Sequence, residues 1–215
     1  MTEPDAFHRL MRFITDDIKN FLRYEEEKEI IYLNHGNDYM GSGSFCFNHE
    51  LDKKDVVSGK KVLSTNTWGH LNSQESVGIS PELFDEMIFP YYEELSREFG
   101  LIYYGCCESV SDFWDKSLYK LKNLRKFSIS PWCDAKMMGQ RLENRDTIFS
   151  LKPSPQYLGV KRSFDGKAFS DYLKDRLQTA KNCRKEVIFR DVYDLYGNIA
   201  KLKEAVEITK KVLEG

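Results

Sequence analysis

The sequence predicts an α/β fold in which helices cover a parallel sheet of about five to six strands. Short apolar runs alternate with longer segments whose apolar residues recur at helical spacing, and this alternation is typical of parallel strands joined by helical crossovers. Of the 215 residues, 41% are hydrophobic and 13% are aromatic, which is enough for a buried core. A complete (β/α)8 barrel takes roughly 250 residues. The pattern alone therefore leaves open whether the sheet is doubly wound or part of a barrel.

The first part of the chain begins with a predicted amphipathic helix. Its apolar residues recur at helical spacing: Phe7, Leu10, Met11, Ile14, Ile18, Phe21 and Leu22. Strands are predicted at residues 30–33 and 62–67, on either side of a long irregular loop at residues 34–61. Loops of this length are commonly functional. Ser80-Pro81-Glu82 predicts a helix start, and Pro90 predicts an interruption of that helix.

From residue 101 onward, predicted strands and helices alternate regularly. The strands are predicted at residues 101–107, 124–130, 147–151 and 186–192. The helices are predicted at residues 110–122, 134–142, 164–184 and 198–213. In parallel sheets, the residues at the carboxyl ends of the strands usually form the binding site. Catalytic or binding residues are therefore expected directly after each strand.

Composition and charge argue against several classes of protein. Charged residues make up 31% of the chain with a net charge of −2 and form no basic stripe, so no nucleic acid partner is expected. No apolar run approaches the roughly 20 residues of a membrane helix, and the first residues do not resemble a signal peptide. A cytoplasmic protein with no membrane partner is expected. The five cysteines, two of them adjacent, suggest reduced thiols that are either buried or bind metal.

Several short motifs occur together in the order of the predicted strands. They are SQESVGISPELF at residues 73–84, Pro90-Tyr91, YYGCCE at 103–108, SISPW at 128–132 and FSLKPSP at 149–155, with Gly41-Ser42-Gly43-Ser44 and Trp68-Gly69 before them. In this series the chain resembles the uroporphyrinogen-decarboxylase-like superfamily, which includes cobalamin-dependent methyltransferases.

The resemblance implies a particular architecture and activity. It implies that residues 1–215 form a single domain, the C-terminal portion of a TIM-like (β/α)8 barrel, and thus a partial barrel. The arginine-rich substrate motif of true decarboxylases has no counterpart here, which favours methyl transfer over decarboxylation. Methyl-transferring members bind zinc through His and Cys residues at strand ends, and zinc activates a thiol. A corrinoid protein or a small methylated compound is the implied partner.

The candidate metal ligands are Cys106, Cys107 and Cys133, and Glu108 is a candidate oxygen ligand or general base. Cys106 and Cys107 end one predicted strand, and Cys133 follows the next. Adjacent strand residues point to opposite faces, so at most one of the adjacent pair should face a cavity. No histidine stands two residues before either cysteine, unlike the family's pattern. Buried structural thiols are the alternative interpretation.

Other candidate residues also lie near predicted strand ends. His70 and Glu75 are candidates for acid–base catalysis, although a structural His70 is an equally good interpretation. Candidate substrate-binding residues are Gln74, Trp68, Tyr104, Trp132 and Lys152, with Lys152 placed to hold a carboxylate or phosphate. Asp191 is expected to line the site or to pair with Arg190.

Three functions remain open from the sequence. The first is methyl transfer on a small-molecule substrate. The second is decarboxylation of a carboxylated substrate, and the third is a non-catalytic half-barrel that needs a partner chain. Because a partial barrel leaves unpaired edge strands, a homo-oligomer or a partner chain that completes the barrel is expected. Gly41-x-Gly43 lacks a strand–helix frame, so no nucleotide cofactor is expected.

Overall fold

The computed structural model describes residues 3–51 and 60–214. Its helices are α1 (Pro4–Glu27), α2 (Pro81–Met87), α3 (Phe89–Ser96), α4 (Ala135–Arg141), α5 (Gln156–Gly159), α6 (Gly166–Leu177) and α7 (Ala200–Glu214). Its strands are β1 (Tyr39–Gly41), β2 (Ser44–Phe45), β3 (Trp68–Leu71), β4 (Leu101–Tyr104), β5 (Leu124–Ile129), β6 (Ile148–Leu151) and β7 (Lys185–Val187). Four 3-10 turns lie at Ser64–Asn66, Gln74–Ser76, Ser111–Phe113 and Leu118–Lys120.

The main sheet is parallel and has five strands in the order β3-β4-β5-β6-β7. His70 of β3 is in register with Tyr103 of β4, and Ser128 of β5 is in register with Ser150 of β6. The predicted α/β fold is therefore confirmed, with five parallel strands where about five to six were predicted. Among the residues that the structure describes, the sheet is open, with β3 and β7 at its edges. Membership of a (β/α)8 barrel stays a prediction.

The chain divides into two compact units. The first comprises residues 1–105 and 112–125, and the second comprises residues 106–111 and 126–215. In the first unit, the rings of Phe84 and Phe113 stack with centroids 4.1 Å apart in the core. In the second unit, Phe169 of α6 is fully buried and its ring lies 6.1 Å from that of Phe189.

The segment after α1 is not the predicted strand at residues 30–33. Helix α1 ends where Glu29 adopts a left-handed conformation with φ of 56°. The side chain of Asn34 then pairs with the backbone of Trp68. Its Oδ1 accepts from Trp68 N at 2.8 Å, and its Nδ2 donates to Trp68 O at 3.1 Å. The Asn34 side chain thus takes the backbone hydrogen bonds of Trp68 that a neighbouring strand would otherwise make. Residues 30–33 therefore do not pair with β3 as a strand.

The predicted strand at residues 62–67 is replaced by the 3-10 turn Ser64–Asn66. Asn66 Oδ1 accepts from Leu63 N at 2.9 Å, a local side-chain bond that competes with an extended backbone. The strand begins only at Trp68. Within the predicted loop at residues 34–61, β1 and β2 form a small antiparallel hairpin. Residues 52–59 of that loop lie outside the described part of the chain.

The predicted helix at residues 110–122 is also wrong, because two 3-10 turns take its place. Serine and aspartate are frequent in this segment, and their side chains favour turns over helix interiors. Ser117 Oγ, for instance, donates to Asp85 Oδ1 at 2.9 Å. Apolar residues of the segment are nevertheless buried: Val110, Phe113, Trp114, Leu118 and Leu121.

The predicted helix start at residues 80–82 and the predicted interruption at Pro90 are both confirmed. Ser80 Oγ accepts from Leu83 N at 3.2 Å, as expected of an N-cap, and the predicted break at Pro90 appears as the boundary between α2 and α3. The predicted helix at residues 164–184 is shorter, because it starts after the Asp165 cap and gives way to turns beyond Leu177. Among the described residues, none of the helices is both long and apolar enough to cross a membrane.

Candidate functional site

The second unit gathers polar and thiol side chains directly after its strands. Lys152 follows β6, and Arg190 and Asp191 come shortly after β7. Ser128 lies near the end of β5. The short segment at residues 106–111 supplies two cysteines and Glu108 to the same unit. These residues form the candidate site, which we call the thiol–lysine cluster: Cys106, Cys107, Glu108, Ser128, Lys152, Arg190 and Asp191.

Lys152 is the buried centre of this cluster. Only 2% of the residue is exposed. Its Nζ donates to Cys106 O at 2.7 Å and to Ser128 Oγ at 2.8 Å. Burial lowers the pKa of Lys152 to about 8, and the nearby Arg190 adds to this effect. An amine with such a pKa can give up and take back a proton near neutral pH.

Arg190 places a positive charge on the thiol of Cys106. Its Nη1 donates to Cys106 Sγ at 3.1 Å. Burial lowers the pKa of Arg190, but the hydrogen bond to Cys106 and the nearby charges outweigh it and hold the pKa above its usual value. The guanidinium therefore remains charged and stabilises negative charge on the Cys106 sulfur, which favours the nucleophilic thiolate form.

Cys107 has a different environment from its neighbour. Burial, followed by the proximity of Cys106, raises the pKa of Cys107 to about 11. Its Sγ lies 3.7 Å from Cys106 Sγ and donates towards Asp191 Oδ2 at 3.7 Å. Cys107 is therefore a protonated thiol at neutral pH. The two adjacent cysteines are chemically distinct.

Two further carboxylates fix the geometry of the cluster. Glu108 is 5% exposed, and its Oε2 accepts from Cys106 N at 2.9 Å, so it orients the thiol-bearing residue. Asp191 has a left-handed backbone with φ of 60°, and its Oδ1 lies 3.4 Å from Arg190 Nε. This confirms the expected pairing of Asp191 with Arg190. Strained backbone of this kind is often found at functional sites.

Cys133 has a structural environment. The residue is 2% exposed, and its Sγ donates towards the carbonyl oxygens of Glu108 at 3.6 Å and Ser128 at 3.7 Å. Trp132, the preceding residue, is 75% exposed, so its indole lies at the surface of the second unit and not in an apolar pocket wall.

The remaining predicted site residues belong to the first unit. Trp68 is 3% exposed and its Nε1 donates to Cys46 O at 3.0 Å, so it is a core residue. Tyr104 is fully buried, and its ring lies 6.1 Å from that of Tyr92. Gln74 and Glu75 are exposed in their 3-10 turn.

His70 is held in place by its neighbours. Its Nε2 lies 3.2 Å from Gly105 O, and its ring centroid is 5.3 Å from that of Tyr103. On another side, a Cβ at Gly41 would lie 2.7 Å from His70 Nδ1, so only glycine fits there. This environment matches the structural interpretation of His70.

The cysteines do not form a ligand set that fits zinc. In the described part of the chain, no group of three or more His, Cys, Asp or Glu residues could hold a metal ion. The Cys106 sulfur faces a guanidinium, and Cys133 faces backbone carbonyls. Zinc at this position stays a prediction from the resemblance.

Sequence reasoning missed Ser128 and Arg190 as functional residues. Both lie within the last three residues of predicted strands, at residues 124–130 and 186–192, so the rule that strand ends supply sites could have found them. The chain is thus an α/β protein with a parallel sheet and a thiol–lysine cluster. Comparison with protein-family models, curated proteins and solved structures finds no match to the chain.

Proposed function

We propose that this chain is a uroporphyrinogen-decarboxylase-like enzyme that transfers a methyl group, and that the Cys106 thiolate receives it. The observation that supports this most directly is the 3.1 Å hydrogen bond from Arg190 Nη1 to Cys106 Sγ. A thiolate is a far better nucleophile than a thiol, and a neighbouring guanidinium favours the thiolate. The donor is a corrinoid protein or a small methylated compound.

The proposed step is a displacement at the methyl carbon. A lone pair on Cys106 Sγ forms the new S–C bond. The bond between the methyl carbon and the donor atom breaks, and its electron pair leaves with the donor atom. Cys107 is not assigned as the nucleophile, because its Sγ lies 3.7 Å from the Asp191 carboxylate, whose charge disfavours a thiolate there.

Alkylation followed by peptide mass spectrometry tests this assignment. With iodomethane or methylcobalamin as donor, we expect the methyl group on Cys106 and not on Cys107. Cys106→Ser should abolish methylation, whereas Cys107→Ser should retain it. Arg190→Gln should slow the reaction by roughly tenfold or more by removing the charge that favours the thiolate. Equal methylation of both cysteines, or an unchanged rate in Arg190→Gln, would contradict the proposal.

A second candidate, decarboxylation of a carboxylated substrate, is favoured by one observation. Lys152 is a buried amine with a pKa near 8, and Arg190 supplies a cation for a carboxylate. A desolvated lysine can condense with a ketone to form an imine, releasing water. The protonated imine then accepts the electron pair of the breaking C–C bond as carbon dioxide leaves.

Borohydride trapping separates the two candidates. If Lys152 forms an imine, reduction in the presence of a 3-oxo acid should leave a stable adduct on Lys152. Lys126 is the matched control, because it is equally buried in the same unit but pairs with Glu186 at 3.1 Å. An adduct on Lys152 alone supports decarboxylation. The absence of any adduct, together with methylation of Cys106, supports methyl transfer.

A further inference from the structure

Within the first unit, helix α1 packs against α3 through its polar face. Arg12 Nη1 lies 2.7 Å from Glu94 Oε2 of α3, and Lys19 Nζ lies 2.8 Å from Glu94 Oε1. His8 Nδ1 lies 2.8 Å from the hydroxyl oxygen of Tyr91, which also belongs to α3. The buried residues of α1 lie on this side as well: Thr15, Leu22 and Glu26.

The opposite face of α1 is apolar and exposed. Six large apolar residues lie on it with exposed fractions of 39% to 71%: Leu10, Phe13, Ile14, Ile18, Phe21 and Tyr24. Isolated exposed apolar residues are ordinary, but a continuous stripe along one helix usually marks an interaction surface. An amphipathic helix normally turns its apolar side inward, so the orientation of α1 leaves this stripe unpartnered within the described chain.

Four of the six exposed apolar residues follow the spacing of a coiled-coil seam: Leu10, Ile14, Phe21 and Tyr24. Along α1 and the residue that flanks it at each end, positions separated alternately by four and three form one line, the seam: Glu3, Phe7, Leu10, Ile14, Asp17, Phe21, Tyr24 and Lys28. Such a heptad repeat lets two helices pack side by side. The helix has 24 residues, and at about 1.5 Å per residue its seam is about 36 Å long.

Charges along the seam favour an antiparallel arrangement with an identical helix. Glu3 stands at the start of the seam and Lys28 at its end. In an antiparallel pair, each Glu3 faces the Lys28 of the second copy, Leu10 faces Phe21, and Ile14 faces Asp17. In a parallel pair, like charges would face each other at both ends and at Asp17, which is unfavourable.

From these observations we infer that the chain forms a homodimer through antiparallel pairing of α1 helices, with the seam residues at the contact. The occupant of the stripe is a second copy of this chain. The contact is independent of the sheet edges from which the sequence predicts oligomerisation, and it does not rest on the proposed enzymatic function.

Analytical ultracentrifugation of the full chain tests the dimer. We expect a dimer for the native sequence. Phe21→Asp should raise the dissociation constant by at least about 100-fold, because each dimer would bury two unpaired carboxylates. Tyr193→Asp is the matched control, since Tyr193 is 92% exposed outside α1, and it should leave the dimer intact. Circular dichroism checks that both variants keep their helices.

Two further variants test the geometry. Asp17→Leu removes the one charged residue from the middle of the seam and should tighten the dimer. In a chain whose Cys106 and Cys107 are both replaced by Ser, the double variant Glu3→Cys with Lys28→Cys should form a disulfide between chains under mild oxidation, whereas Glu3→Cys alone should not. A native chain that is monomeric, a dimer that survives Phe21→Asp, or cross-linking by Glu3→Cys alone would overturn the inference.

Discussion

The ammonium group of Lys152 donates a hydrogen bond to the carbonyl oxygen of Cys106 at 2.7 Å. This bond joins the residue after β6 to the segment that carries both adjacent thiols. It also places a titratable group, 2% exposed, at the centre of the cluster. The stability of the protein should therefore depend on the protonation of this one amine.

We expect Lys152 to make the protein more stable as the pH rises above 8. The folded-state pKa is about 8, below the unfolded value of about 10.5, so between these values the unfolded chain binds more protons. The free energy of unfolding should rise by up to about 3 kcal/mol across that window. Urea unfolding of the native chain and of Lys152→Met, measured at several pH values, isolates this contribution.

Lys126→Met is the control for that measurement. Lys126 is also 2% exposed, but it pairs with Glu186. The difference between native and Lys152→Met should grow as the pH rises from 8. Lys126→Met controls for the loss of a buried lysine side chain. A pH-independent difference for Lys152→Met would mean that the amine keeps its ordinary pKa.

The charge of Asp191 should contribute to the low reactivity of Cys107. Burial is the largest cause of the raised pKa of Cys107, and the charge of Asp191 contributes to it. Asp191→Asn removes that charge and should lower the Cys107 pKa from about 11, so Cys107 should react faster with iodoacetamide at pH 8 to 9. Site-resolved labelling kinetics measure this. Asp194→Asn, a nearby exposed change, should leave the rate unaltered.

Gly41→Ala should destabilise the first unit by about 1–3 kcal/mol. Gly41 has a φ of 132°, and an added Cβ would lie 2.7 Å from His70 Nδ1. Gly36→Ala is the control, since a Cβ there meets nothing within 4 Å. Combining Gly41→Ala with His70→Ala should recover the steric part of the loss. Equal melting temperatures for the two glycine variants would contradict the close packing of the β1–β2 hairpin against His70.

Glu26 should stabilise the protein only while it is ionised. Its Oε1 accepts from Ser64 N at 2.9 Å and from Ser64 Oγ at 2.7 Å. Burial raises its pKa, but the hydrogen bonds from Arg23 and Ser64 outweigh burial and hold the pKa below its usual value. The stability from Glu26 is therefore present above the unfolded pKa and is lost as the pH falls through the lower folded value.

Acid unfolding of two glutamine variants checks this prediction. Glu26→Gln should be less stable than the native chain near neutral pH, by about 1–3 kcal/mol, and the gap should close on acidification. Glu27→Gln changes an exposed neighbour and should behave like the native chain. A gap that stays constant down to low pH would show that the charge of Glu26 is not what stabilises the contact.

Local signals explain which elements were predicted correctly. The cap at Ser80 and the break at Pro90 depend on a few neighbouring residues, so the sequence is sufficient to place them. The predictions at residues 30–33 and 110–122 failed because distant partners intervene: Asn34 bonds the backbone of Trp68, and Ser117 bonds Asp85. Such contacts join residues 34 and 32 positions apart, beyond the reach of periodicity.

The sequence by itself determined the α/β class and the parallel sheet, because hydrophobic periodicity is a local property. Only the tertiary structure decided which side chains meet. It brings Lys152 and Arg190 to Cys106, directs Cys133 to backbone carbonyls, and turns the apolar face of α1 outward. The physical reason is that charge–thiol contacts and burial depend on packing between segments far apart in the chain, which no local pattern encodes.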